Sequence, residues 1–403
     1  MLLLGVGFMG FRAGSTSGSD FARWYQASEQ WQSGSNVYSS RVVKGEMPHG
    51  PPFLMMVTPF TWFDIKWAER LWMVGSMVLL LHGVHLLSKM LEYEAHVLGP
   101  AVASHAPWLA LLLIGPFLYD CFQHRGTGIF VLWWMLQGIS LLGRRCDARA
   151  GFCLAVAAAI SVLPITLLPW LLYKKRLAAV AAFAVAFTAV STLPMLWPSQ
   201  GYKRASSQQR AYVALVKRDM TTESTDPAQQ SLKPLVFGSI SRNLMGTRQL
   251  FRSRRGIVRG LVAFLIVLCM FWIHSGHGRR GMPHPANSIL IGEASLVLGT
   301  ATLLSPLTPM HYYLWLYPAA TFMMCSALGS ARRNRVRSWS ALLAFTLLVT
   351  LPHRWAAGLV MPDFAQGWQR HHGFAAGLLL TVILLGWTLR GEWLLRAMKG
   401  SRG

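Results

Sequence analysis

Residues 177–197 read LAAVAAFAVAFTAVSTLPMLW, without one charged side chain. A helix needs about 20 consecutive apolar residues to cross the hydrocarbon core of a bilayer. Similar apolar runs occupy 71–88, which has no Asp, Glu, Lys or Arg, and 374–390, whose one charged residue is the terminal Arg390. Helices satisfy all of their own backbone hydrogen bonds in lipid, so repeated runs of this kind predict an all-α protein that crosses the membrane many times.

The composition excludes the soluble and single-span classes. Hydrophobic residues make up 53% of the 403 residues and charged residues only 13%, about half the charged share of an ordinary soluble domain. The net charge of +23 suggests nucleic acid as a partner. However, the Lys and Arg residues stand in short clusters between apolar runs, which is typical of cytoplasmic loops rather than of a nucleic-acid-binding stripe.

We predict about ten full spans in a polytopic helical bundle. Residues 1–11 are apolar but lack a basic leader and a small-residue cleavage site, so we interpret them as a first span rather than a removable signal. The spans are expected at 1–11, 71–88, 107–119, 127–143, 177–197, 258–275, 289–304, 312–328, 338–351 and 374–390.

The segment 150–172 is long enough to cross once, but basic clusters flank both of its ends. Pro164 and Pro169 interrupt it, and proline removes a helix hydrogen bond and clashes with the preceding turn. We therefore predict a broken pair of short helices that enters from the cytoplasm and returns there.

This topology places the long loops on one face of the membrane. With the N-terminus inside, the loops 12–70 and 198–257 both lie on the extracytoplasmic side, and the second contains a surface helix around 206–218. No internal repeat is visible, so we expect one membrane domain over 1–403.

Asp20 is the first candidate for chemistry, because acidic residues are scarce and this one follows the first predicted span. A carboxylate at the membrane surface could accept the proton of a sugar hydroxyl as a general base. Asp is also a favoured N-cap, here for a helix that starts at Phe21. The two interpretations are compatible.

Further candidates lie in the other outer loops. Asp120 and His124 are expected in the loop 120–126, either in a functional role or as helix-end charges. His311 follows Pro306 and Pro309 at the end of a span, where it could bind a phosphate or a substrate hydroxyl, or could simply be solvated.

The long outer loop contains Gln230, Arg242 and an arginine cluster at 252–259. Amide and guanidinium groups hydrogen-bond well to sugars and phosphates. The cluster fits a specific anionic lipid headgroup as well as it fits a general phospholipid anchor.

These landmarks, taken in order, resemble those of glycosyltransferase family 87, which belongs to the GT-C class of membrane sugar transferases. Gln230-Ser231-Leu232 resembles the family's Asn-Gln-Ser-Leu, and Glu293 followed by Ser305-Pro306 and His311 resembles its Ser-Pro…His-His motif. The chain departs from the family's pattern at Thr127, Ser161 and Tyr312. The first-loop resemblance is carried by Asp20-Phe21, Tyr25, Gly34, Tyr38, Pro51-Pro52 and Pro59.

The resemblance implies a GT-C bundle that transfers a sugar, often mannose, from a polyprenyl-phosphate donor to a lipid or glycan acceptor on the extracytoplasmic face of the plasma (inner) membrane, with inversion. Asp20 matches the position of the catalytic base. Contacts to the substrate are then expected from Tyr25, His124, Gln230, Arg242, His311 and Tyr312.

A transporter or flippase of lipid-linked substrates is the alternative, and a relative that only binds lipid-linked glycans is a third possibility. Transporters usually show inverted repeats and ionisable residues in mid-membrane. No nucleotide-binding motif and no paired acidic motif is present, so we expect no cofactor and no dedicated metal site.

Overall fold

The computed structural model describes residues 19–39, 49–197, 201–221, 287–305, 310–329, 332–353, 363 and 373–400. Within these ranges the regular structure is entirely helical, as the apolar patterning predicts. The chain divides into two compact units, which comprise 1–83 with 118–222 and 84–117 with 223–403. The single membrane domain over 1–403 stays a prediction.

The first unit contains the helices nearest the N-terminus. The division between the units falls within two helices, since α3 ends and α6 begins in the second unit. The α-helices up to residue 221, apart from two that belong to the second unit, are α1 Asp20–Gln32, α2 Pro51–Val57, α3 Ile65–Glu92, α6 Gly115–His124, α7 Gly128–Gly143, α8 Asp147–Ile160, α9 Leu167–Tyr173, α10 Leu177–Thr192 and α11 Gly201–Thr221.

The first unit is held together by apolar packing along α7, α8 and α10, and by an aromatic cluster beneath α1. Trp72 stacks on Phe130 with ring centroids 4.3 Å apart. Trp24 meets Trp72 and Phe53 edge-on. Because such large rings bury much apolar surface, this cluster fixes α1 and α2 against α3.

The second unit packs its helices around α13, which contacts α5, α12 and α14. The Glu94 carboxylate accepts hydrogen bonds from the backbone N–H and the hydroxyl of Ser288, both at 2.8 Å. This buried acid therefore satisfies a backbone N–H in the first turn of α12, which has no partner within the helix. The α-helices of this unit are α4 Ala95–Leu98, α5 Pro100–Leu113, α12 Asn287–Leu304, α13 Tyr317–Gly329, α14 Arg332–Phe345 and α15 Gly373–Gly400.

Shorter helical turns connect several of these helices. Five 3-10 turns and one π-helical turn occur in the described ranges. They are Val37–Ser39, Thr58–Trp62, Leu163–Thr166, Leu193–Leu196, Met310–Leu316 and, as the π-helical turn, Thr346–Thr350.

Four of the described helices are long and apolar enough to cross a membrane. A fifth span results if α5 and α6, which are bent by 60° at their junction, count as one. Pro116 explains the bend, since it has no N–H with which to continue α5. The four helices are Ile65–Glu92, Leu177–Leu196, Asn287–Leu304 and Gly373–Glu392.

The prediction of about ten spans is therefore not confirmed. The runs at 71–88, 177–197, 289–304 and 374–390 fall on the four long helices, and 107–119 falls on the bent pair. The run at 127–143 forms a helix of only 16 residues. The run at 312–328 consists of a 3-10 turn followed by a short α-helix. The run at 338–351 consists of the end of a short α-helix followed by a π-helical turn. The predicted spans 1–11 and 258–275 lie outside the described residues.

The interruption in 150–172 is confirmed. Helix α8 ends at Ile160, Ser161 is extended with φ −137° and ψ 129°, and a 3-10 turn over Leu163–Thr166 leads into α9. Whether this pair returns to the side from which it entered stays a prediction.

Two predicted boundaries, one of a loop and one of a helix, differ from those in the structure. Helix α3 begins at Ile65, so the predicted loop 12–70 ends inside a helix. Lys66, Glu69 and Arg70 lower the hydropathy of its first turns and hide them from a hydropathy pattern. The surface helix around 206–218 is present and longer, from Gly201 to Thr221.

Candidate active site

The N-terminus of α1 carries the predicted base. Ser19 is the N-cap: its Oγ accepts a hydrogen bond from the backbone N–H of Ala22 at 3.1 Å. Asp20 is the first helical residue, so the prediction that Asp20 is the N-cap is wrong by one position. Its carboxylate is 24% exposed and lies 3.7 Å from the guanidinium of Arg23. The helix dipole and Arg23 both favour a negative charge at this position.

A buried network links this helix start to α3 and α6. Ser19 Oγ donates to Glu69 Oε1 at 2.9 Å, and Arg125 Nη2 lies 3.5 Å from Glu69 Oε2. The side chains of Glu69 and Arg125 are only 5% and 6% exposed. Trp72 Nε1 donates to the carbonyl oxygen of Arg125 at 3.1 Å. The start of α1, the first turns of α3 and the end of α6 are therefore joined through one ion pair.

Arg125 adopts a conformation that favours glycine, with φ 55°. The N–H groups of Arg125 and Gly126 donate back to Phe122 and Cys121 in the last turn of α6. This is the pairing of a Schellman motif, in which glycine is the usual residue. An arginine in the left-handed region costs about 1–2 kcal/mol, and burial against Glu69 explains why it is nevertheless accommodated.

Asp120 and His124 lie in the last two turns of α6 rather than in a loop, so the predicted loop 120–126 is wrong. The helix continues because no breaking residue follows Pro116 until Gly126. His124 Nδ1 lies 2.8 Å from the carbonyl oxygen of Asp120 and 3.6 Å from its carboxylate. Because Glu69 accepts from Ser19 and pairs with Arg125, the start of α1 and the His124 end of α6 are brought to one region.

His49 lies beneath this region and is 1% exposed. Its Nδ1 is 2.8 Å from the carbonyl oxygen of Ile160, and its Nε2 is 3.3 Å from Thr127 Oγ1. Burial lowers the pKa of His49 to about 4, against the opposing effect of the Ile160 carbonyl. The neutral ring then carries its proton on Nδ1, because a carbonyl oxygen only accepts, and Nε2 accepts from the Thr127 hydroxyl. His49 thereby connects the broken pair at Ser161 to the start of α7.

The arrangement comprises a partly exposed carboxylate, a histidine at a helix end and a buried acid–base ion pair behind them. The model of glycosyltransferase family 87 matches residues 48–306, which is more than half of the chain.

The chain belongs to glycosyltransferase family 87.

It is accordingly a membrane glycosyltransferase. No curated protein sequence matches the chain. The family 87 match includes His49, Glu69 and the end of α6, whereas Asp20, His311 and Tyr312 lie outside it.

In this family 87 member, the hydroxyl of Tyr25 makes a hydrogen bond within the first unit. Its hydroxyl donates to the carbonyl oxygen of Phe63 at 2.9 Å. Burial raises the pKa of Tyr25, and the nearby carboxylates of Glu29 and Asp64 raise it further. The phenol therefore stays protonated and ties α1 to the chain segment before α3; a contact with the substrate stays a prediction.

The remaining predicted residues belong to the second unit or lie outside the described residues. Tyr312 is 5% exposed and stacks on Trp315 with ring centroids 4.5 Å apart. His311 lies in the 3-10 turn Met310–Leu316, and its side chain is outside the described part of the chain, as are Gln230 and Arg242. Their contribution to the site stays a prediction.

The sequence analysis did not propose Glu69, His49 or Arg125 as residues of the site. One signal was available for Glu69, since an acid in the first turns of an apolar helix needs a partner. His49 gave none. Among the described residues, no group of three or more His, Cys, Asp or Glu side chains is arranged to hold a metal ion.

Proposed function

We propose that this family 87 protein transfers a hexose, such as mannose, from a polyprenyl-phosphate donor to a hydroxyl of a lipid or glycan acceptor, with Asp20 as the general base. The reaction is proposed to take place on the extracytoplasmic face of the plasma membrane and to invert the anomeric carbon. Membership in the family supports sugar transfer, and the position of Asp20 supports the assignment of the base.

In the proposed reaction, the acceptor hydroxyl gives its proton to the Asp20 carboxylate. The acceptor oxygen forms a bond to the anomeric carbon while the bond from that carbon to the phosphate oxygen breaks. The lipid phosphate leaves with the bonding electrons as a stable anion, so a strong general acid is not required. Hydrogen-bond donors must instead stabilise its charge; His124 is a described candidate, and His311 and Arg242 are predicted ones.

One observation carries the assignment of Asp20. Its neighbour Ser19 is buried, caps α1 and is bonded to Glu69, while the Asp20 carboxylate itself remains partly exposed. A general base must be fixed in position and still reach its substrate. The helix start satisfies the first requirement through Ser19 and the second through Asp20.

The test is the Asp20→Asn variant, which keeps the shape of the side chain and removes the base. We expect the rate of sugar transfer from a radiolabelled polyprenyl-phosphate mannose donor to membrane-extracted acceptors to fall by roughly 10²–10⁴-fold. Asp64→Asn is the matched control. It makes the same change at an exposed aspartate in the segment directly before α3. Both variants should elute as single species with unchanged thermal unfolding.

Full activity of Asp20→Asn would exclude Asp20 as the base. If the wild type transfers no sugar but moves the lipid-linked donor between the leaflets of a liposome, the flippase alternative is correct. A wild type that binds the donor and does neither is the lipid-binding relative.

A further inference from the structure

Two basic turns in the first unit share one backbone geometry. Helix α7 ends at Gly143 and α9 ends at Tyr173, and each is followed by a cation in the left-handed conformation, Arg145 with φ 59° and Lys175 with φ 56°. In both turns this cation and the next residue donate their N–H groups back to carbonyls of the preceding helical turn. Glycine takes this conformation without penalty, and yet both turns place a cation there.

The two turns lie side by side. Arg176 Nη1 is 3.1 Å from Asp147 Oδ1 and 3.4 Å from Asp147 Oδ2, which ties the second turn to the first. One helical turn further on, α8 and α10 approach so closely that a Cβ on Gly151 would meet the carbonyl of Ala179 and lie 2.9 Å from the backbone nitrogen of Phe183. We name residues 144–149 together with 174–176 the basic double turn.

The basic double turn concentrates positive charge on a solvent-facing surface. It contains six cationic side chains and one acidic side chain, Asp147, which is already paired with Arg176. Four of the cations are exposed and two are partly exposed. The exposed cations are Arg144, Arg145, Arg149 and Lys175.

Exposed apolar surface begins at the edge of this charge. Leu172 is 49% exposed and Leu177 is 66% exposed, on either side of the second turn. The candidate span Leu177–Leu196 then follows directly, and only 17% of its most apolar window is buried, compared with 83% for Asn287–Leu304. A span with so little protein around it offers its surface to acyl chains. The surface therefore combines cations and an apolar wall in the order in which a phospholipid presents a phosphate and its tails.

We propose that the basic double turn binds the headgroup phosphate of an anionic phospholipid whose acyl chains lie along α10. This site is separate from the chemistry at Asp20 and does not depend on the proposed sugar transfer. Basic clusters at the end of a membrane helix attract anionic headgroups in this way. An acidic peptide would satisfy the cations but would leave the apolar wall of α10 without a partner.

The experiment compares phosphatidylglycerol with phosphatidylcholine binding to the purified full chain by native mass spectrometry. The variant Arg145→Asn with Lys175→Asn removes one charge from each turn, and asparagine tolerates the left-handed conformation. Since each cation near an anionic headgroup contributes about fivefold in affinity, we expect roughly 25-fold weaker phosphatidylglycerol binding. The control is Lys203→Gln with Arg204→Gln, two exposed cations of α11 whose loss should leave binding unchanged.

The proposal is overturned if phosphatidylcholine binds the wild type as tightly as phosphatidylglycerol, or if both double variants lose binding equally. Should the first variant fail to fold, Arg149→Gln provides the same test with an expected loss of about fivefold. Salt provides an independent check on the wild type, because binding to exposed cations weakens as the ionic strength rises.

Discussion

Arg125 Nη2 and Glu69 Oε2 are 3.5 Å apart, and both side chains are almost completely buried. They join the end of α6 to the first turns of α3, and Glu69 also bonds to Ser19, the residue before Asp20. A buried ion pair adds little net stability, but removal of one partner leaves the other charge in an apolar environment. The pair therefore acts as a structural constraint whose removal is costly.

Glu69→Gln should lower the free energy of unfolding by about 3–5 kcal/mol, because Arg125 then remains buried without its counter-charge. Thermal unfolding in detergent measures the change. Glu92→Gln is the control on the same helix, where the carboxylate is exposed and the effect should stay within about 0.5 kcal/mol. Addition of Arg125→Asn to Glu69→Gln should restore part of the loss. A Glu69→Gln protein as stable as the wild type would contradict this.

His49 should make the protein less stable in mild acid. Its pKa is about 4 in the folded chain and about 6.5 in the unfolded chain, so the unfolded state binds the proton more readily. The stability conferred by neutral His49 is complete above pH 6.5 and is lost as the pH falls from 6.5 to 4, by roughly 3 kcal/mol. Below pH 4 this contribution no longer changes.

Unfolding temperatures recorded between pH 4 and pH 7 measure this effect. His49→Gln cannot titrate, and its stability should vary less over the same range. His105→Gln removes an exposed histidine and should retain the slope of the wild type. If His49→Gln and the wild type lose stability in parallel, the burial of a neutral His49 is not the cause.

Gly151→Ala should destabilise the packing of α8 against α10. The added methyl group would meet the backbone of Ala179 and Phe183, neither of which can move as a flexible side chain can, and such overpacking costs about 1–3 kcal/mol. Gly75→Ala is the matched control, since a Cβ at Gly75 in α3 meets nothing within 4 Å. There the same change should stabilise the protein by roughly 0.5–1 kcal/mol. Equal unfolding temperatures for the two variants would refute the close approach.

The predicted topology places α1 and the basic double turn on opposite faces of the membrane. Cysteines introduced singly at Gln26 and Lys175, both exposed, in a background without the native cysteines, report the face by reaction with a membrane-impermeant maleimide. In intact cells only Gln26→Cys should react, and Lys175→Cys should react after the membrane is opened. Labelling of both positions from outside would place the two elements on the same face and refute the topology.

The sequence predicted the helical class, the four helices that are long and apolar enough to cross a membrane, and the break near Ser161. Each of these depends on local properties, namely apolar length and proline. It also indicated Asp20 and His124 as residues of interest. It misplaced the cap of α1 by one residue and ended α6 too early, since charged residues next to an apolar run look like a loop when only hydropathy is read.

The chain alone therefore determined that this is a helical membrane protein and where its most apolar helices run. That follows because a bilayer demands long uncharged segments whatever surrounds them. Only the tertiary structure decided that Ser19, Glu69 and Arg125 form one buried network, and that two basic turns thirty residues apart stand together. Such pairings depend on which helices pack against each other. Partners that are far apart in the sequence cannot be paired from the local sequence around either one.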